Sequence, residues 1–260
     1  MATLHYDEEA TRRLLAVYCT PDVAAQREAF AAALDLRPGE RVLDLGAGPG
    51  LLALLLAARV GPAGAVCGVD ISEPLLAHAR RISAGQAQLC WLQADATALP
   101  LADASFDAAI STQVLEYVAE VDAALAELHR VLRPQGRLVV VDTDWDSMVW
   151  AVPERARHAR VMAAWEAHAP HPRLPRTLAG RLARAGFEVT RSAVLPLYNP
   201  TPREDSYSRQ MVALIAEFVA RSGGAAAAEA AAWADELRQE AAAGRWFFSL
   251  NRYLFAARRR

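Results

Sequence analysis

Apolar and polar positions alternate along this chain with two different periods, and each change of period marks an element. From Glu8 to Cys19, and again from Val23 to Leu34, apolar residues recur at helical spacing, with Pro21 at a helix start where its missing N–H costs nothing. The turn Arg37-Pro-Gly-Glu40 follows. Arg41 to Leu45 is then a short continuous apolar run that reads as a strand buried on both faces. A helix from Leu51 to Val60, a glycine-bounded turn, a strand from Ala65 to Val69 and a helix capped by Ser72, with Glu73 and Pro74 in its first turn, come next. Strands are predicted at Gln88–Leu92, Phe106–Ser111 and Arg137–Val141, with an amphipathic helix over Val121–Leu132 between the last two. Strands alternating with helices predict a doubly wound, mostly parallel α/β sheet.

The pattern then breaks. Asp144 to Pro175 carries three of the six tryptophans and three of the six histidines, which suits an irregular insertion over the sheet's edge. Regularity returns with a helix over Arg176–Ala185, stopped by Gly186, and a strand over Glu188–Leu197. A second insertion holds a helix at Tyr207–Arg221, a Gly223-Gly224 break and an alanine-rich helix at Ala225–Ala243, before a last strand at Phe247–Ala256. The expected organisation is an N-terminal helical lid (1–35), a core (36–143, 175–199, 246–258) and cap insertions (144–174, 200–245).

Composition narrows the chemistry. A formal charge of -2 gives no general attraction to nucleic acid or an anionic surface. All 28 basic residues of the Lys+Arg count are arginine, so chemistry that needs a lysine amine, such as a Walker phosphate loop or a Schiff base, is absent. Cys19, Cys67 and Cys90 are scattered and read as reduced core thiols, with no metal site expected. The polar, acidic N-terminus and the lack of a long apolar run point to a cytoplasmic protein with no membrane span.

The strongest motif is VLDLGAGPG, Val42 to Gly50, at the junction of the first strand with its helix. Gly46, Gly48 and Gly50 allow backbone to approach a ligand closely at the carboxyl end of a strand. Asp70 ends the second strand, where a carboxylate can accept both hydroxyls of a ribose. Asp95 follows the third strand, where it can accept from an adenine amino group. Each acid alone also fits a cap or turn; three such positions on consecutive strands argue for one ligand.

This set, DxGxGxG with an acid after strand two and DA after strand three, resembles the class I S-adenosylmethionine-dependent methyltransferases. The segment Phe106–Asp142 resembles the ubiquinone/menaquinone-type and related small-molecule members. The resemblance covers roughly Leu36 to Asp142 and implies a Rossmann-like fold with a reversed last strand. It further implies that Asp44, Gly46, Ala47 and Gly48 line the methionine portion of S-adenosyl-L-methionine, Asp70 holds the ribose and Ile71 packs on adenine. Asp95 and Ala96 would face the adenine edge, and Ser111, Thr112 and Gln113 would lie near the sulfonium. Arg27 reads either as a partner of the cofactor carboxylate or as a solvated helix arginine. Tyr6 and Tyr18 read either as lid residues or as aromatic staples between helices. The glycines run GxGxG rather than GxGxxG, which separates this pattern from a nicotinamide dinucleotide fingerprint. The alternatives are an NAD(P)-dependent oxidoreductase and a silent S-adenosylmethionine-binding subunit.

Methyl transfer from a sulfonium is an in-line displacement, governed by alignment in a water-poor pocket, with a base needed only if the nucleophile must lose a proton. Glu116, Tyr117, Asp142, Asp144 and Asp146 are the candidates, with Glu116, Tyr117 and Asp144 preferred. In the resembled family the insertions build the acceptor pocket, which singles out Trp145, Trp150, Trp165, Tyr198 and Tyr207. Two tryptophans among the acids of Asp142–Trp150 read as an aromatic wall or as a cap anchor. His158, His168 and His171 read as surface or cap residues. A roofed pocket suits a small-molecule acceptor and no nucleic acid, in a monomer or homodimer.

Overall fold

The computed structural model describes residues 8–260. Helices α1 (Glu8–Tyr18) and α2 (Pro21–Ala33) lead into β1 (Arg41–Leu45), α3 (Leu51–Val60), β2 (Ala65–Asp70), α4 (Glu73–Ile82), β3 (Leu89–Gln93) and β4 (Phe106–Thr112). A single 3₁₀ turn, Leu115–Tyr117, precedes α5 (Val121–Val131) and β5 (Leu132–Trp150). Then come α6 (Arg155–Trp165), the 3₁₀ turn Glu166–His168, α7 (Pro175–Arg184), β6 (Phe187–Asn199), α8 (Tyr207–Ser222), α9 (Gly224–Ala242) and β7 (Phe248–Arg259).

The strands form one sheet in the order β3-β2-β1-β4-β5-β7-β6, with β7 antiparallel to both of its neighbours. This is the expected Rossmann-like sheet with a reversed last strand. Its order turns back between β1 and β4, and the crevice at their carboxyl ends is where such sheets take ligands. Leu45, the last residue of β1, lies between Val69 and Ser111, so three strand ends meet there.

Burial on both faces explains the apolar runs. Leu43, Leu45, Val69 and Leu138 pack under α5 and α7, while Val42, Val66, Ile110 and Val139 pack against α2 and α3. A separate core joins α1, α6, α8 and α9 around Trp145, Trp150, Trp165, Trp233 and Trp246.

Three expectations are corrected. The segment after Asp142 is not irregular: β5 continues to Trp150, bulged between Asp144 and Val149, and α6 follows. Burial drives this, because the bulge turns Trp145 into the third core while Val149 and Trp150 keep pairing with Ser249 and Phe248. Strand β6 likewise runs two residues further than predicted, to Asn199. Among the cysteines, Cys67 is buried but Cys90 is exposed; the two are register partners across β2 and β3, and both are free thiols.

Candidate active site

The glycine-rich turn is built by local backbone constraints. Gly46, Gly48 and Gly50 all have positive φ (73°, 53° and 85°), which disfavours any residue with a Cβ. Gly46 and Ala47 donate N–H bonds to the Val69 carbonyl at 2.7 and 2.9 Å, tying the turn to the end of β2. A Cβ on Gly46 would stand 2.1 Å from Val114 Cγ2, and one on Gly50 2.7 Å from Trp91, so protein packing requires both glycines. Gly48 differs: its Cβ would find only Tyr18 Cε2, at 3.9 Å. That glycine keeps the turn low beneath a tyrosine that α1 holds over it.

Asp70 is the hinge of the turn. One carboxylate oxygen accepts the Gly48 N–H at 2.8 Å and the other the Ser72 N–H at 2.9 Å. Burial pushes its pKa up, and the backbone N–H groups of Ser72, Gly48 and Ile71 pull it back. Beside it Ile71 is 67% exposed, an apolar platform at the mouth of the crevice. Asp95 is exposed and spends Oδ1 on the N–H and hydroxyl of Thr97, while Ala96 packs on the sheet core.

Near the ends of β1 and β4, Asp44 Oδ2 and Ser111 Oγ are buried polar atoms with no partner among the described residues. Burial and the nearby Asp70 charge push Asp44 up to about 7. An orphan acceptor, an orphan hydroxyl, a glycine turn roofed by Tyr18 and an exposed apolar platform fit a ligand that carries an amine, hydroxyls and a flat ring. S-adenosylmethionine has all three. Thr112 is half-buried at the end of β4. Gln113, with φ 58°, bridges the ends of β4 and β5, donating to the Val141 carbonyl and accepting from the Thr143 hydroxyl.

Arg27 is half-buried and donates to the backbone carbonyl of Tyr18 at 2.5 Å. That bond fastens the end of α1, and with it Tyr18, over the glycine turn. Tyr6 lies outside the described residues. Burial pushes the Tyr18 hydroxyl up to about 12, opposed by Arg252 and reinforced by Asp70, Tyr207 and Glu116.

Further along the crevice stands a buried acid pair. Glu116 Oε2 accepts the Thr143 N–H at 3.0 Å, and Asp142 Oδ1 accepts those of Val114 and, at 3.5 Å, Glu116. Glu116 Oε1 and Asp142 Oδ2 are left without partners. Burial and the Asp142 charge hold Glu116 well above the usual carboxylate range, and burial pushes Asp142 up to about 8 against its backbone donors and Arg252. Two carboxyls this close do not both ionise readily, so the pair holds a proton at neutral pH.

Asp144 is corrected as a catalytic candidate. Arg176 grips both its oxygens at 2.7 and 3.0 Å, and Asp146 pairs with Arg173 and Arg176. These acids pin the bulge of β5 to α7. Tyr117 lies edge-on to His168, 5.9 Å between centroids.

The five proposed pocket aromatics separate. Trp145 and Trp165 flank His168, at centroid distances of 4.5 and 3.9 Å, and border a cavity of about 200 Å³ shared with Met148, His158 and Met162. Trp150 is corrected: it packs on Trp246, Trp233 and Phe248 inside the cap core. Tyr198 is also corrected. It is 57% exposed, near Phe247, and borders an outer groove with Pro21 and Arg203. Tyr207 is buried and carries Arg252 over its ring at 5.3 Å.

His168, read as a surface or cap residue, belongs to the cap: it is buried, its Nδ1 lies 2.6 Å from the Trp165 carbonyl, and burial pushes it down to about 4. One residue was missed. Arg252 shares a strand face with Leu250 and Leu254, and a charge on an apolar strand face was the available signal.

With this geometry in place, comparison with known proteins decides the family. A family model described as a methyltransferase domain matches residues 43–140. The 2-phytyl-1,4-naphtoquinone methyltransferase of Thermosynechococcus vestitus is 36% identical over 170 residues, covering 60% of this chain and 75% of that protein. The chain belongs to the S-adenosylmethionine-dependent methyltransferases. The dinucleotide alternative falls with that result. A protein of Streptomyces fradiae, described as an uncharacterized 37.1 kDa protein in transposon TN4556, is 37% identical over 86% of this chain and 64% of its own length. The chain spans about half the length of several further curated quinone methyltransferases it matches. Among solved structures, a [4+2]-cyclase superposes with a TM-score of 0.61 at 24% identity, covering 91% of this chain and 80% of that one. The methyltransferase fold thus also occurs in a protein named for another reaction, and the acceptor side must be argued from its own residues.

Proposed function

We propose that the chain moves a methyl group from S-adenosylmethionine to an oxygen, nitrogen or carbon of a small molecule. The observation that carries this is the Gly46–Gly50 turn tied to Asp70 and faced by Tyr18, with exposed Ile71 next to Asp70 and Glu116 within electrostatic reach of the same tyrosine. Asp44, Ala47 and Gly48 hold the methionine end, Asp70 the ribose hydroxyls, Ile71 the adenine face, Asp95 and Ala96 its edge, and Ser111 and Thr112 flank the reacting end.

When bound, the cofactor supplies an electrophilic methyl on a sulfonium, which leaves as a neutral thioether. The rest falls to the chain. Tyr18 and the cap exclude water, and the acceptor is held in line on the far side of the methyl. Where the nucleophile carries a proton, the ionised form of Glu116 takes it at Oε1, an oxygen that is buried, without a hydrogen-bond partner and attached to a carboxyl whose basicity burial has raised. The acceptor contacts Trp145 and Tyr207, with Trp165 and His168 stiffening the wall behind Trp145. The lid (1–35), core and cap (144–174, 200–245) serve as separate working parts. The three free thiols, two of them side by side, suit the reducing cytoplasm.

Calorimetric titration tests the reading. Micromolar binding of S-adenosylmethionine, no binding of NADH, and loss of the former in Asp70→Ala by about a hundredfold are expected, since two charge-assisted hydrogen bonds to a ribose disappear. Binding of NADH alone refutes it.

A further inference from the structure

Arg252 is a buried cation without a contact anion. It sits on β7 between Thr143 and Leu195 and is 3% exposed. One terminal nitrogen donates to Gln26 Oε1 at 2.8 Å, and Gln26 in turn donates to the Leu195 carbonyl at 3.0 Å, so the amide is oriented to hold the guanidinium. The guanidinium carbon lies 5.3 Å from the Tyr207 ring centroid. Nε has no partner, and Arg252 forms no ion pair among the described residues.

Arg252 is the only arginine buried among the described residues; half-buried Arg137 and Arg157 each reach a carboxylate, Glu40 and Glu236. A guanidinium removed from water with no carboxylate in contact is costly, and such a group persists where something else repays it. The charged and titratable groups that feel Arg252 come from every side of the crevice: Tyr18 on α1, Arg27 on α2, Glu116 after β4, Asp142 on β5 and Tyr207 on α8. The acids are near enough to interact but not to pair. Arg252 thus offers a planar donor fork with a spare N–H at the place where Glu116 Oε1 and Asp142 Oδ2 offer spare acceptors.

Building on the methyl-transfer reading, we propose that Arg252 is the anion subsite of the acceptor pocket, so that the acceptor is an acid with a delocalised oxyanion, a carboxylate or vinylogous carboxylate. The anion lies on the guanidinium edge with Tyr207 beneath, and the group to be methylated lies toward Glu116. A donor fork recognises two oxygens of one planar acid far better than it recognises a neutral ether or amide.

The test uses the full chain saturated with S-adenosylhomocysteine and titrated with matched pairs: 2-hydroxy-1,4-naphthoquinone, an anion at neutral pH, against its 2-methoxy ether, and salicylate against salicylamide. At least one acid is expected to bind about tenfold or more tightly than its neutral partner. Arg252→Gln removes that preference and Arg252→Lys keeps part of it. Unchanged S-adenosylhomocysteine binding and melting temperature show that the variants are folded; if Arg252→Gln does not fold, Arg252→Lys carries the comparison. Equal binding within both pairs, no binding by either acid, or a preference that survives in Arg252→Gln, or undiminished in Arg252→Lys, overturns the proposal. So does a loss of S-adenosylhomocysteine affinity in Arg252→Gln, which would assign the anion to the cofactor's own carboxylate. Failure of the wild-type chain to bind S-adenosylhomocysteine is the separate failure of the methyl-transfer reading.

Discussion

Replacing Asp142 with asparagine separates charge from shape at the acid pair. Asparagine keeps the oxygen that accepts from Val114 and Glu116, and places an amide where Asp142 Oδ2 has no partner. In the unfolded chain Asp142 titrates near its ordinary 3.8; in the folded chain burial moves it to about 8. Between those values the native state binds the extra proton, so the folded protein loses stability as pH rises from about 4 to about 8, at up to about 1.4 kcal/mol per pH unit. By pH 7 the cost from this one group is on the order of 4 kcal/mol as an upper bound, a large share of a typical stability of about 5–15 kcal/mol. Asp142→Asn removes that dependence. Urea unfolding at constant ionic strength, from pH 4 to pH 9, should find variant and wild type similar at the acid end and the variant progressively more stable above it. Its pH–rate profile should also rise at lower pH, because Glu116 no longer ionises against a neighbouring charge. A stability difference that does not change with pH refutes the argument, because it would mean that Asp142 is ionised in the native state throughout.

Two further substitutions probe the turn and the cap. Gly46→Ala adds a Cβ at φ 73°, 2.1 Å from Val114 Cγ2, and should cost about 2–4 kcal/mol in urea unfolding; adding Val114→Ala should return the packing part and leave the backbone part of about 1 kcal/mol. Trp233→Ala empties the centre of the cap, where the indole is fully buried and donates to His158 at 3.1 Å, and should cost about 3–5 kcal/mol by thermal melting. The strands that carry the glycine turn and Asp70 pack in the other two cores, and of the cofactor residues only Tyr18 touches this one, so S-adenosylhomocysteine affinity measured by calorimetry should stay within a few-fold of wild type.

The cofactor half was legible because its constraints are local. Gly46 and Gly48 are required by φ angles within one turn, and Asp70 follows one strand later in a βαβ unit whose geometry is nearly fixed. The acceptor half was not, because composition names residue types and not the faces they take. Trp150 and Trp145 lie five positions apart in one strand, and the bulge between Asp144 and Val149 decides that Trp145 approaches the acid pair while Trp150 joins Trp233 and Trp246. Asp144 looked catalytic because its partner Arg176 is 32 positions away. Arg252 escaped notice for the same reason: its meaning depends on Gln26, 226 positions earlier, and on Tyr207.

That asymmetry bears on how chemistry is chosen on this fold. In the proposed reading the glycine turn and the following acid hold the cofactor, and the same fold in a protein named as a [4+2]-cyclase shows that fold alone does not set the reaction. What differs is the far wall of the crevice. Here Tyr18, Glu116, Asp142, Tyr207 and Arg252 arrive from the two ends of the chain and from two strand ends between them. Each of these is held by a protein partner: Tyr18 by Arg27, Glu116 by the Thr143 backbone, Asp142 by the Val114 backbone, Arg252 by Gln26 and Tyr207 by its N–H to Asp22. The wall can therefore keep its shape without acceptor, with its electrostatic work done during folding rather than on binding. A buried acid pair and a buried guanidinium with a spare N–H favour an acceptor that brings its own negative charge.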